Sequence, residues 1–335
     1  MTNNVLDQTD SCLRIFDPGR LCETDSLKAG IAAQLARDSY YNDRRHGDTL
    51  LKLGFGDIRM FEHDHLQALI GCRDLETPDG TAVLIAIIFR GSDDVLDWLH
   101  NLDFRKVRFL DRERFPQLVK LKVHKGIMEN VLDFEHKALR IVSQNGAIKG
   151  SLAVHLTDAS KRKQCFFWIV GHSLGGAMAA LFAARLYEYY QAPSERILTH
   201  TFGAPPIGNR SFAAHYGHDE GTGNTGLAGS RPLLKVIRFV NTDDPIPAPH
   251  VAVSTRKKER TVSIPRPPYR LLGFKHFGRE VRFTPGSLAA FRESFKMSTG
   301  KPYRSSNFMD AHFMEAYLAG VDALRRSGWG RNEKT

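Results

Sequence analysis

The chain has 335 residues, 42% of them hydrophobic and 25% charged, an ordinary globular composition with enough length for one large core or two smaller ones. No stretch approaches the roughly 20 apolar residues that span a bilayer. Met1 to Gln8 lack the basic start and apolar centre of a general export signal, so the expectation is a cytoplasmic protein or one exported by another route. The net charge of +10 is spread over Arg105 to Arg114, Lys161-Arg162-Lys163 and Arg256 to Arg270. Spread charge reads first as a solvated surface and next as affinity for an anionic membrane surface. Without a nucleic-acid-reading motif, nucleic acid is not expected as a partner. Cys12, Cys22, Cys72 and Cys165 have no metal-ligand spacing, so the chain is expected to be reduced and free of metal.

In chain order, residues 1–26 read as an irregular lead-in. A first helix is expected over Leu27–Tyr41, with Leu27, Ile31, Leu35 and Tyr40 as its apolar residues. Strands Gln67–Cys72 and Ala82–Phe89 follow, joined by the turn Thr77-Pro78-Asp79-Gly80. The run Val83 to Phe89 is apolar on both faces, as a central strand covered by helices must be. A helix over Ile127–Val142 precedes a strand at Cys165–Val170 and a helix over Ala177–Leu186. Strands Ile197–Phe202 and Lys235–Val240 flank a glycine-rich loop, Gly217–Gly229. Strand Glu280–Phe283 and a terminal helix Ala311–Arg325 close the list. Strands alternating with helices predict an α/β fold: a mostly parallel central sheet with helices on both faces. One domain over 27–328 is expected, with surface insertions near 213–232, 254–272 and 284–308.

Between the fifth of these elements and the sixth lies Gly171-His172-Ser173-Leu174-Gly175-Gly176. A G-x-S-x-G between a buried strand and a helix is a nucleophile elbow, a tight turn that lifts a serine hydroxyl above the sheet. Serine needs a base within hydrogen-bond reach, and the base needs an acid to hold it. In hydrolases built this way the chain order is nucleophile, acid, base. Strand Lys235–Val240 runs straight into Asp243-Asp244 before Pro245 and Pro247, so either aspartate qualifies as the acid. Of fourteen histidines two stand out, His276 just before strand Glu280–Phe283 and His312 at the start of the terminal helix. His312 reads as a first-turn residue of the terminal helix, with Asp310 as its N-cap. An oxyanion needs preorganised donors. The amide of Leu174 is one, and Ser92 in Arg90-Gly91-Ser92 is the candidate for the second.

These residues together resemble the class 3 lipases. The resemblance covers about residues 66 to 325 and rests on pieces in the same order. Before the elbow these are Phe89-Arg90-Gly91-Ser92, Asp97-Trp98-Leu99 and Val123-His124-Lys125-Gly126. After it come Thr201-Phe202-Gly203-Ala204-Pro205 with Gly208-Asn209, Phe239 to Pro247, Lys275-His276-Phe277-Gly278 with Glu280, and Asp310-Ala311-His312-Phe313. The resemblance implies an α/β-hydrolase fold and a triad of Ser173, Asp244 and His312. It makes His276 a structural residue and Ser92 the oxyanion serine. It also implies a lid over Val95–Leu102 with Leu96, Trp98 and Leu99 on its apolar face. The activity implied is hydrolysis of lipid acyl esters at a lipid–water interface, with no cofactor. Phospholipid or galactolipid hydrolysis by the same triad is an alternative, and a catalytically idle scaffold is the rival from another class. Oligomeric state is not legible.

Overall fold

The structure is a computed structural model that describes residues 25–41, 47–63, 66–77, 80–92, 103–140, 142–143, 150–158, 164–217, 234–247, 273–285, 289–302 and 308–329. Helices α1 (Asp25–Asp38) and α2 (Asp48–Lys52) lead into strands β1 (Gly56–His63), β2 (Leu66–Thr77) and β3 (Gly80–Phe89). A two-stranded ribbon, β4 (Lys106–Arg108) and β5 (Lys122–His124), precedes helix α3 (Lys125–Lys137). A small pair, β6 (Val142–Ser143) and β7 (Gly150–Ser151), and helix α4 (Leu152–Thr157) come next. Strand β8 (Cys165–His172), helix α5 (Leu174–Glu188), strand β9 (Ile197–Phe202) and helix α6 (Arg210–His215) follow. The chain finishes with β10 (Lys235–Asn241), β11 (Arg279–Phe283), α7 (Ala289–Thr299), α8 (Phe308–His312) and α9 (Met314–Arg326).

Seven strands form one sheet in the order β1-β2-β3-β8-β9-β10-β11. The β1–β2 and β2–β3 pairs are antiparallel, and every pair from β3 to β11 is parallel. Side chains alternate across a strand, and here the alternation sorts two cores. Val83, Ile85, Ile87 and Phe89 of β3, with Phe167 and Ile169 of β8, join the core under α3 and α5. Leu84, Ala86 and Ile88, with Phe166, Trp168 and Val170, join the core under α1, α7 and α9. Both faces of β3 and β8 are therefore dry, which is why these strands read as unbroken apolar runs. On the first face, Phe134 of α3 meets Phe89 and Phe182 edge-on at centroid distances of 4.7 and 5.3 Å, locking α3 and α5 to the sheet.

The predicted α/β class and mostly parallel sheet are what the structure contains. Several details differ. Strand β1 has no counterpart among the sequence expectations. It is an edge strand paired on one side only; Ile58 and Met60 alternate but are only partly buried and Phe61 alone is fully buried, so the pattern is too weak to mark it. The helix expected over Ile127–Val142 is α-helical only to Lys137 and continues as a 3-10 turn over Ala138–Arg140, and Val142 lies in β6, although Ile127, Val131, Phe134 and Ala138 are all buried as their spacing implies. The expected insertion near 284–308 contains α7, whose Phe291 and Phe295 are buried beside Phe283. Those residues are core and not surface, because the edge strand β11 needs an apolar cover. Phe212 is buried just before the insertion near 213–232 and Ala213 is buried at its start, and 218–233 lie outside the described residues. The same holds for the insertion near 254–272, for most of the lead-in, and for Pro78 and Asp79 of the predicted turn. Among the described residues no helix is long and apolar enough to cross a membrane. Cys72 and Cys165 are buried, and that burial pushes their thiol pKa values up to about 12 and about 11.

Candidate active site

Strand β8 ends at His172, and the next residue adopts φ 56°, ψ −127°, a positive φ on a non-glycine residue. Three contacts hold Ser173 there. Its amide donates to Phe202 O at 2.9 Å, and its carbonyl accepts from the amides of Gly176 and Ala177 at 3.0 and 3.2 Å, starting α5. The turn is possible only because its flanks lack side chains. A Cβ on Gly171 would lie 2.2 Å from Gly175 O, and one on Gly175 would lie 2.3 Å from Phe89 O. The second contact also brings the start of α5 against the end of β3, where Arg90-Gly91-Ser92 begins.

The side chain of Ser173 is fully buried, as are those of Asp244 and His312. His312 Nε2 lies 2.9 Å from Ser173 Oγ, and His312 Nδ1 lies 2.8 Å from Asp244 Oδ2. A carboxylate only accepts, so Nδ1 carries the hydrogen and Nε2 is left to accept from the serine hydroxyl. Asp244 Oδ2 also accepts from the Tyr317 hydroxyl at 2.5 Å, and Oδ1 accepts from the amide of Ile246 at 2.9 Å. The carboxylate thus accepts from three donors and points one oxygen at the imidazole.

Asp244 sits in the turn after β10 because its amide donates to Asn241 O at 3.0 Å. The adjacent Asp243, the other candidate from sequence, is half-buried and instead donates its amide to Asn241 Oδ1 at 3.0 Å. Gly203, at φ +60°, makes room for the acid: a Cβ there would lie 2.9 Å from Tyr317 Oη and 3.0 Å from Asp244 Oδ2. His276, the other candidate base, lies elsewhere, with its Nε2 donating to Pro247 O at 2.8 Å.

Around His312 the expected continuous helix is absent. The chain forms α8, breaks at Phe313 (φ −63°, ψ 150°), and restarts as α9. His312 is therefore the last residue of a short helix and not in the first turn of a long one. Asp310 lies inside α8, and the N-cap of α9 is Phe313, which makes no side-chain cap bond.

Known proteins now bear on the arrangement. The profile of the family described as Lipase (class 3) matches residues 86–253, half of the chain. The chain belongs to the class 3 lipase family. A lipase from Rhizomucor miehei is 30% identical over 131 residues, covering 38% of this chain and 31% of that protein. The chloroplastic phospholipase A(1) DAD1 of Arabidopsis thaliana is 27% identical over 254 residues, covering 72% of this chain and 49% of that one. Among solved structures, the Rhizomucor miehei triacylglyceride lipase is 22% identical with a TM-score of 0.47, covering 76% of this chain and 78% of that one. The chain spans about half or less of the length of these two curated relatives.

The family match includes Ser173 and Asp244 and ends before His312. Of the residues expected from sequence, Ser173, Asp244 and His312 are brought together. Leu174 begins α5 directly after the serine, and Ser92 follows Gly91, where a Cβ would lie 3.1 Å from Ser173 Cβ. The lid segment with Leu96, Trp98 and Leu99 lies outside the described residues. Four residues of the site went unread in the sequence: Tyr40, His172, Asn241 and Tyr317. Tyr40 reads as an apolar stripe residue and His172 as the variable position of the motif. Only Tyr317 left a signal, as an aromatic one helical turn from Phe313.

Proposed function

We propose that this class 3 lipase family member is a serine carboxylic-ester hydrolase acting on lipid acyl esters. The observation that carries the reading is the buried chain of bonds from Ser173 through His312 to Asp244. In the first half-reaction Ser173 Oγ attacks the acyl carbonyl carbon and its proton passes to His312 Nε2. Asp244 keeps the hydrogen on Nδ1 and stabilises the imidazolium that forms. The amides of Ser92 and Leu174 donate to the oxyanion, and the N-terminus of α5 adds its positive dipole end. His312 then gives its proton to the departing alcohol oxygen. A water deprotonated by the same ring attacks the acyl-enzyme and releases the carboxylic acid. Leu96, Trp98 and Leu99 belong to this proposal as the apolar face of a cover over the buried serine.

Phospholipid is favoured over neutral lipid by one feature of the surface. Ribbon β4–β5 presents exposed Lys106, Arg108 and Lys122, with Arg108 directly opposite Lys122 across the strands. Like charges facing each other destabilise a sheet pair, and an anionic headgroup layer would relieve that repulsion. The relative named a phospholipase A(1) points the same way.

The test is hydrolysis of p-nitrophenyl esters from acetate to palmitate by the wild type and by Ser173→Ala, followed by neutral and anionic vesicles at low and high salt. Loss of activity of about 1000-fold or more in the variant is expected. An unchanged rate in Ser173→Ala would remove the serine from the mechanism. Equal rates on both vesicle types at every salt would remove the headgroup preference.

A further inference from the structure

Parity along β8 sends residue 172 to the face covered by α1 and α9, the same face as Trp168 and Val170. There the buried His172 ring bridges two partners. Its Nε2 lies 2.7 Å from the backbone oxygen of His312, and its Nδ1 lies 2.7 Å from Tyr40 Oη. A carbonyl only accepts, so Nε2 carries hydrogen. A neutral ring has no second hydrogen, so Nδ1 accepts from the phenol. The geometry points to Tyr40 and His172 as positioning residues that set the backbone of His312, and hence the aim of its Nε2 at Ser173.

Three observations support the role. His312 ends α8, and its carbonyl accepts from the His172 ring. That donor is the residue next to the nucleophile. The base is thus tied to the elbow twice, through its ring to Ser173 and through its backbone to His172. A misplacement of about 1 Å in such a pair can cost about 100-fold in rate.

The path is also cleared for the phenol. A Cβ on Gly91 would lie 2.2 Å from Tyr40 Oη and 2.7 Å from His172 O, so only glycine lets Tyr40 reach past the loop that carries Ser92. The Arg90 guanidinium of the same loop lies over the Tyr40 ring, 5.4 Å from its centre. Tyr40 therefore touches both the oxyanion loop and, through His172, the base.

Finally, the charge state fits. Burial first, and the neighbouring His312 ring second, hold the His172 pKa well below the ordinary imidazole value. A proton on His172 would put a second cation beside the imidazolium that His312 becomes, with ring centroids 4.9 Å apart. Tyr40 occupies the lone pair that would take that proton. The other groups facing this cluster are Tyr317, whose ring lies 5.8 Å from His172, Asp244, bonded to both His312 and Tyr317, and Arg90.

This role rests on the triad proposed above. The experiment compares wild type, Tyr40→Phe, His172→Phe and His172→Gln on a soluble p-nitrophenyl ester across pH, with fluorophosphonate labelling of Ser173 and thermal melts. Tyr40→Phe is expected to lower kcat about tenfold with KM within about twofold, and to move the acid limb of the kcat profile to higher pH. His172→Phe is expected to cost about 100-fold, and His172→Gln, whose amide donates at the position of Nε2, to recover about tenfold of it. A folded Tyr40→Phe with the wild-type kcat and acid limb overturns the role alone, even if it melts lower. A wild type that neither turns over ester nor takes the label overturns the triad reading and this role with it.

Discussion

The turns that deliver the nucleophile and the base are built in opposite ways. The elbow at Ser173 is written mainly in its own hexapeptide: its shape needs glycines within two or three residues, packed against backbone at distances no side chain permits, with the Ser173 amide anchored on Phe202 O. The turn at His312 has no such local device. Its N-cap position makes no side-chain bond, and two of its buried carbonyls accept from segments far along the chain, Ala311 O from Asn241 Nδ2 at 2.9 Å and His312 O from His172. A local turn can be specified by a hexapeptide. A borrowed turn exists only once β8, β10 and α1 are assembled, so its integrity reports on the tertiary structure and not on its own sequence.

The sharpest way to break this comparison is Gly175→Ala. Its methyl would meet Phe89 O at 2.3 Å, a backbone atom that cannot rotate away. The variant is expected to lose on the order of 3 kcal/mol of stability, read by urea melts, together with its hydrolytic activity. A well-folded, active Gly175→Ala would mean that the elbow relaxes more easily than its packing implies. Asn241→Ala comes next. It leaves the Ala311 carbonyl without its donor in a fully buried position, at a cost of about 1–3 kcal/mol, and is expected to lower kcat by about tenfold. If kcat holds while stability drops, the base turn is held by α9 packing and not by borrowed bonds. Tyr317→Phe has the smallest expected effect. Asp244 keeps the Ile246 amide and His312 and loses one donor, so kcat should fall only about three- to tenfold with KM unchanged. A fall beyond about 100-fold would make the tyrosine as important as the imidazole's own partner.

How much was legible follows the same division. The central strands were, because β3 and β8 are buried on both faces and so carry unmistakable apolar runs. The edge strand β1 was not, because one free edge and a half-wet face erase the pattern. Helix α7 read as an insertion because burial there is confined to Phe291 and Phe295, too few residues to separate core from surface without knowing that β11 lies beneath. Asp310 read as a cap because aspartate before an apolar helical run is a local signal. The break at Phe313 that removes it depends on where α9 packs.

By itself the sequence determined the elbow, the alternation of strands and helices, and the pool of acids and bases from which a triad could be drawn, since each of these is set by interactions over a few residues. Its ordered motifs also placed it beside the class 3 lipases. Chemistry alone left His276 beside His312 and Asp243 beside Asp244; the resemblance chose His312 and Asp244, the tertiary structure brings both to Ser173, and only the tertiary structure closes Tyr40 on His172, 132 residues away along the chain. Those choices turn on distances of a few ångströms between segments far apart in the chain. Hydrogen bonds of that kind leave no periodicity behind them, because their geometry belongs to the packed sheet and not to any one stretch of it.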